Sequence, residues 1–247
     1  MTTQRLQALI FDVDGTLADT EELHRQAFNE AFEQDGLDWH WSASLYTELL
    51  AISGGQERLR AFRQRMQPGL RALDALALDA SIARLHELKT AAYARRVNAG
   101  ELQLRPGVQA LIEAAPAAGL TLAIATTTSP VNIAALLRRT LGPDWALRFA
   151  VIEDASTAAL KKPHPQVYRQ TLARLGLPAR ACLAFEDSAN GLAAARGAGL
   201  ATVITPTAFT ARHDFGGALR VLESLQGLTP ERLNAWHAES HNCTAIP

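Results

Sequence analysis

Cysteine is scarce in this chain, with only Cys182 and Cys243 among 247 residues, and charge of either sign is nearly balanced at a formal net of −1. Two distant thiols make no disulfide framework. A near-zero balance gives no electrostatic footing for nucleic acid or for a membrane surface. The start, Met1-Thr2-Thr3-Gln4-Arg5, leads into a brief apolar segment that soon runs into acids, which is neither a secretory leader nor a spanning helix. Internal repeats are missing, as are low-complexity tracts beyond a general richness in alanine. These absences lead to the expectation of a soluble, cytoplasmic monomer whose partners include no nucleic acid and no membrane. The 48% of hydrophobic residues is enough for one large or two small domains with a real core.

The stretch around which the rest is arranged is Leu9-Ile10-Phe11-Asp12-Val13-Asp14-Gly15-Thr16. It begins as an apolar run from about Ala8 with no helical period, which fits a strand covered on both faces of a parallel sheet. On an extended backbone residues i and i+2 point the same way, so Asp12 and Asp14 can face one pocket. Gly15 lets the chain leave the strand through dihedrals that other residues avoid. Two acids crowded at a strand end repel unless a cation sits between them, and a hard divalent ion such as Mg²⁺ takes oxygen ligands. Taken alone, the same tetrapeptide also fits a solvated turn.

Downstream, Leu23, Ala27, Phe28, Ala31 and Phe32 recur at helical spacing and Gly36 offers a stop. Leu45, Leu49 and Leu50 suggest a second helix, broken at Gly54-Gly55. A third runs from Gln56 through Met66, and Leu78 to Val97 carries further helical patterning, so residues 18 to about 103 read as wholly helical. The character changes at Leu104-Arg105-Pro106-Gly107. Apolar runs at 120–125, 149–152, 182–185 and 201–204 then alternate with helical segments up to Ala115, after Ser129, around Val167, Leu172 and Leu175, and from Leu192 to Ala198. Strands alternating with helices predict an α/β fold with a Rossmann-like parallel-sheet core, into which a helical-bundle cap is inserted after the first strand. The expected division is a discontinuous core of 1–17 and 104–230, a cap of 18–103 and a tail of 231–247. In the tail, His237, His241 and Cys243 have a metal-like spacing but no fourth ligand, and a frayed terminus is expected. Trp39 and Trp41 are expected to pack inside the cap.

Ligands of open parallel sheets sit beyond the carboxyl ends of the strands. Three predicted strand ends are polar: Asp12 with Asp14, Thr126 with its hydroxyl neighbours, and Glu186-Asp187; Lys161-Lys162-Pro163 precedes a later helix. Acids for one cation, a hydroxyl and a lysine make a phosphate site. An aspartate nucleophile there forms an aspartyl-phosphate, and a second acid protonates the leaving alcohol and then activates water. Each residue also has a plainer reading: a surface lysine beside Lys161, or a threonine that merely closes a strand.

With these four elements in order, residues 6 to 215 resemble the haloacid dehalogenase superfamily, in its phosphatase and phosphomutase branch. The resemblance implies that Asp12 is the nucleophile and Asp14 the acid/base, that Thr126 and Lys162 are the second and third motifs, and that Asp12, Asp14, Asp187 and Glu186 form the Mg²⁺ site, Glu186 directly or through water. The finer resemblance is to CbbY-like proteins, carried by 20–29, 125–129 and 186–192. It implies xylulose 1,5-bisphosphate as a small-molecule sugar phosphate substrate, its C1 phosphate removed to give xylulose 5-phosphate and relieve inhibition of Rubisco. Those proteins are encoded with Calvin-cycle genes in autotrophic bacteria. Expected substrate contacts are Glu21, His24, Gly54, Gly55, Gln56, Arg58, Lys89 and Thr127. Glycines ahead of a helix offer N–H groups to an anion, and an arginine can clamp it. Two departures stand out: the cap motif has Gln56 where the relatives usually have lysine, and Gln166 stands where they usually have aspartate. The core motifs alone do not separate a phosphatase from a phosphomutase of β-phosphoglucomutase type. A dehalogenase lacks the second acid that Asp14 supplies, and a phospho-accepting receiver domain has no helical insert of this size.

Overall fold

The structure, a computed structural model, describes residues 5–66 and 75–242. Residues 1–4, on which the leader reading rests, the stretch 67–74 inside the predicted helical segment, and Cys243 lie outside the described residues. Six strands form one parallel sheet in the order β3-β2-β1-β4-β5-β6: β1 (Ala8–Phe11), β2 (Thr121–Ala125), β3 (Val151–Glu153), β4 (Cys182–Glu186), β5 (Ala201–Ile204) and β6 (Arg220–Val221). The helices are α1 (Glu21–Gln34), α2 (Ala43–Leu49), α3 (Gly55–Met66), α4 (Ala75–Asn98), α5 (Val108–Ala114), α6 (Pro130–Leu141), α7 (Gln166–Leu175), α8 (Ala189–Gly197) and α9 (Pro230–Asn242).

β1 lies at the centre because its unbroken apolar run suits burial on both faces. Leu9 and Phe11 enter one hydrophobic cluster, while Ala8 and Ile10 enter the cluster on the other face. The same alternation divides Leu183 and Phe185 from Cys182 and Ala184 on β4. Phe11 pairs with Ile124 of β2 and Phe185 of β4, and the Phe11 and Phe185 rings stack at 4.6 Å. One residue beyond this register, Asp12 comes level with Glu186.

The segment between β1 and β2 carries α1–α4. A third cluster holds Phe28, Phe32, Trp41, Tyr46, Leu59 and Phe62, with Trp39 against it, as the sequence leads one to expect. The lower parts of α1 and α4, including Leu23, Ala27, Tyr93 and Val97, belong to the sheet's own cluster, and α4 packs on α6. Outbound and returning strands meet where Ala18 bridges Leu104 in antiparallel fashion. Arg105 fastens this crossing: its backbone N–H donates to Leu17 O at 2.8 Å. Its guanidinium donates to the carbonyls of Gly15, Thr205, Pro206 and Glu223.

One strand was not foreseen, and one expectation needs correction. β6 is a two-residue strand with no apolar run, so periodicity had nothing to detect. The terminus is not frayed from 231 onward, because α9 extends to Asn242 and buries Leu233 completely. His237 is 1% exposed and its Nε2 pairs with the Arg180 carbonyl at 2.8 Å, so this histidine docks the helix. No helix among the described residues is long and apolar enough to cross a membrane.

Candidate active site

The carboxyl ends of β1, β2 and β4 open into one cavity beneath the α1–α4 helices. At its floor Lys162 is 5% exposed and donates to Asp12 Oδ1 and Glu186 Oε1, each at 2.6 Å, and to the Ala125 carbonyl at 3.0 Å. The Tyr168 hydroxyl donates to the same Glu186 oxygen at 2.5 Å. Asp12, Glu186 and Asp187 are buried, with carboxylate oxygens within 4.8 Å of one another.

Burial pushes the Asp12 carboxyl up to about 7, Lys162 drawing it down and Glu186 pushing it further up. Burial, with Asp12 and Glu186 beside it, lifts Asp187 well above the usual carboxylate range. Burial also works against the charge on Lys162, but its two acids outweigh that and raise it. Three acids therefore face one lysine, and among the described residues the Asp187 carboxylate accepts no hydrogen bond. An all-oxygen donor set with surplus negative charge and an unspent carboxylate fits a hard divalent cation such as Mg²⁺.

Two glycines permit this packing. Gly15 leaves β1 at φ +79°, and a Cβ there would stand 2.3 Å from Asp187 Oδ2. A Cβ on Gly191 would stand 1.9 Å from Glu186 Oε2, so α8 can approach the acid only with glycine at that place. Ser188 caps α8 by accepting from the Gly191 N–H at 3.1 Å.

Asp14 stands apart from the three-acid group. Thr20 Oγ1 donates to its Oδ1 at 2.8 Å, His24 Nε2 to the same oxygen at 3.2 Å, and Thr128 Oγ1 to its Oδ2. Burial alone would raise this carboxyl, but the His24 ring and the Thr128 and Thr20 hydroxyls outweigh it and hold it well below the usual range. Burial and nearby Lys89 lower His24, whose Nε2 pairs with Asp14 Oδ1. Thr126 Oγ1 donates to Thr128 Oγ1 at 3.1 Å, so the hydroxyls after β2 run in series toward Asp14.

Of the contacts expected above the floor, Glu21, His24, Gly54, Gly55, Arg58, Lys89 and Thr127 line the cavity. Gln56 does not: it is exposed on α3 and outside the lining, because the first turn of that helix turns its side chain to solvent. Arg58 is buried, but it donates to Leu49 O at 3.2 Å, Ile52 O at 3.3 Å and the Tyr46 hydroxyl at 3.0 Å, so much of its fork braces the loop after α2. Tyr46 in turn donates to Glu21 at 2.8 Å. Lys89 lies over the rings of Phe28 and Tyr93, and burial lowers it to about 8 despite the pull of Asp14. Gln166 opens α7, and its side chain accepts from the Leu160 N–H at 2.8 Å.

Thr20, Thr128 and Tyr168 bond directly to the acids, and His86 and Asn132 line the cavity; none of these five was among the predicted site residues. The hydroxyl run after β2 was the visible signal for Thr128. Tyr168 and Asn132 sit at helical positions that look like ordinary packing in the sequence. Asn190 and Phe209 join the two walls: Asn190 Nδ2 donates to Ala51 O at 3.0 Å, and the Phe209 ring meets Tyr46 edge-on at 5.9 Å.

A family model described as haloacid dehalogenase-like hydrolase matches residues 6–199. The chain belongs to that family. Within it, the chain is 57% identical over 220 residues to the plasmid protein CbbY of Cupriavidus necator, covering 89% of this chain and 86% of the relative. It is 33% identical to a phosphorylated carbohydrates phosphatase of Thermotoga maritima, over 79% of this chain and 82% of that one. Two crystal structures of CbbY from Rhodobacter sphaeroides superpose with TM-score 0.83 and 45% identity, covering 90% of this chain and 96% of theirs; one holds phosphate and the other, a mutant, xylulose 1,5-bisphosphate. This member of the haloacid dehalogenase-like hydrolases is accordingly a phosphatase of the CbbY kind, and the parallel six-stranded sheet is the family's fold.

Proposed function

We propose that this phosphatase is Mg²⁺-dependent and removes one phosphate from a sugar bisphosphate, converting xylulose 1,5-bisphosphate to xylulose 5-phosphate. The observation that carries the reading is Lys162 held at 2.6 Å from both Asp12 and Glu186, with Asp187 completing the acid group. The sugar is named by the ligand of the Rhodobacter sphaeroides neighbour. On this reading the helices of 18–103 act as a cap over a core of 1–17 and 104–230.

Asp12 attacks phosphorus, forming a carboxyl–phosphate bond as the bond from phosphorus to the sugar oxygen breaks; Asp14 must carry a proton for this step, against the three donors that favour its carboxylate, and gives it to that oxygen. Asp14, now a carboxylate, takes a proton from water, whose oxygen displaces Asp12 and releases inorganic phosphate. The hydrogen bonds from Thr20, His24 and Thr128 favour the carboxylate form that the second step uses. Lys162 orients Asp12 and offsets charge on the phosphoryl oxygens, with Thr126 as a hydroxyl donor to one of them. Asp12 and Asp187, with Glu186 direct or through water, would hold Mg²⁺, which would further neutralise those oxygens; the Asp14 carboxylate, expected among the ligands, stands apart from that group because Thr20, His24 and Thr128 hold it. Lys89, Arg58 and neutral His86 place the far phosphate beneath the cap, and closure over it excludes bulk water.

The test is phosphate release from a panel of sugar phosphates with and without Mg²⁺. Xylulose 1,5-bisphosphate should be the best substrate, chelation should stop turnover, and Asp12→Asn should reduce it by at least about 10⁴-fold with the fold intact. Interconversion of sugar phosphates without release would make the chain a phosphomutase.

A further inference from the structure

Most polar groups around the cavity are already spent within the protein. Asp14 holds three donors, Glu21 accepts from Tyr46, and Asn190 reaches the opposite wall. Asn132, one turn into α6, is different. It lines the cavity at 4% exposure, and its backbone N–H closes the first turn on Ser129 Oγ at 3.4 Å. Its side-chain oxygen is buried without a donor. Buried amide oxygens are rarely left unpaired, because nothing then replaces the water lost. On α4, the helix packed against α6, Lys89 is likewise buried in the lining without a carboxylate or hydrogen-bond partner among the described residues.

These two groups ask for different parts of one ligand. The ammonium suits a phosphate. The amide oxygen cannot pair with an ionised phosphate oxygen, since both only accept, and suits a donor such as a hydroxyl. We propose that Asn132 is a specificity-determining residue of this phosphatase, its side-chain oxygen accepting a hydrogen bond from a hydroxyl on the carbon chain of the substrate. This rests on the sugar-phosphate reading and goes beyond it: the enzyme selects polyhydroxylated phosphates over phosphate esters of similar charge that lack the hydroxyl. Asn132 makes no hydrogen bond to Asp12, Asp14 or Lys162, so its effect belongs to recognition of the carbon chain and not to the transfer itself.

The experiment compares wild type, Asn132→Ala and Asn132→Asp on three probes: the sugar phosphate that wild type turns over fastest in the panel, the set of its single deoxy analogues, and p-nitrophenyl phosphate. One deoxy analogue should be about tenfold worse than the parent for wild type, the size of one hydrogen bond to a neutral partner. Asn132→Ala should lose about tenfold in kcat/KM on the parent, make no further distinction against that analogue, and lose less than threefold on p-nitrophenyl phosphate. Asn132→Asp keeps an acceptor oxygen and should preserve the distinction. The proposal is overturned if Asn132→Ala slows the aryl and sugar esters equally, if it leaves the sugar ester untouched, or if every deoxy analogue is discriminated as well by the alanine variant as by wild type. Because the reference is the best sugar phosphate found, a wrong identity for the natural sugar leaves this result readable.

Discussion

Replacing Lys162 by methionine separates charge from volume at the floor of the site. The methionine retains most of the aliphatic stem, while Asp12 and Glu186 lose the ammonium 2.6 Å from each, and Ala125 O loses a donor at 3.0 Å. Removing one partner from a buried ion pair costs about 3–5 kcal/mol, since the other charge stays buried and unpaired. For a chain of this size that lowers the midpoint of thermal unfolding by about 10 °C. Asp12, already pushed up to about 7, rises further without Lys162. The variant's deficit therefore shrinks as pH falls and the acids protonate, and grows as pH rises. An ion bound by the same acids should restore part of the loss, with saturating Mg²⁺ adding about 3 kcal/mol at a hundredfold excess over its dissociation constant. Denaturant unfolding of wild type and variant, each with and without Mg²⁺ and at two pH values, reads all of these terms. A loss below about 1 kcal/mol without metal, or an equal loss at both pH values, would refute the view that Lys162 is the counter-charge of this group.

Thr128→Val removes a donor to Asp14; its depressed carboxyl should rise toward the ordinary value, so the protonated form that serves the first step persists to higher pH and the alkaline limb of the turnover profile moves upward. Arg58→Ala should slow bisphosphates about 30- to 100-fold and monophosphates much less, and equal slowing of both would assign Arg58 to bracing the loop at Leu49 and Ile52 alone. Leu233→Ala should cost about 2–5 kcal/mol in denaturant unfolding, as expected for a fully buried leucine, whereas a peripheral α9 would leave the midpoint unchanged.

The central strand and the acids at its end were legible in the sequence because burial on both faces and a same-side pair of carboxylates each leave a pattern of period two. Lys162 and Asp187 could be named only through ordered motifs. Their meeting with Asp12 depends on parallel register, which no local pattern encodes. Gln56 was placed by analogy with a lysine in relatives and turned out to face solvent, since helical phase at a first turn depends on where the helix begins. Thr20 and Thr128 were hidden for a different reason: a threonine that holds a carboxylate looks in sequence like one that closes a turn. α9 escaped because its apolar positions are few, and only the partner surface makes Leu233 a core residue.

The chain departs for α1 and returns from α4 at adjoining points, Ala18 beside Leu104, with Arg105 tying both to the loops around the acids. A detour of more than eighty residues thus perturbs the sheet no more than a hairpin would. Whatever lies inside the detour can be lengthened, shortened or exchanged while the distance from Asp12 to Lys162 stays fixed. Grafting a foreign helical insert between Ala18 and Leu104, with Thr20 and His24 kept where they hold Asp14, should therefore yield a chimera that keeps its phosphoryl chemistry and changes its appetite for sugars.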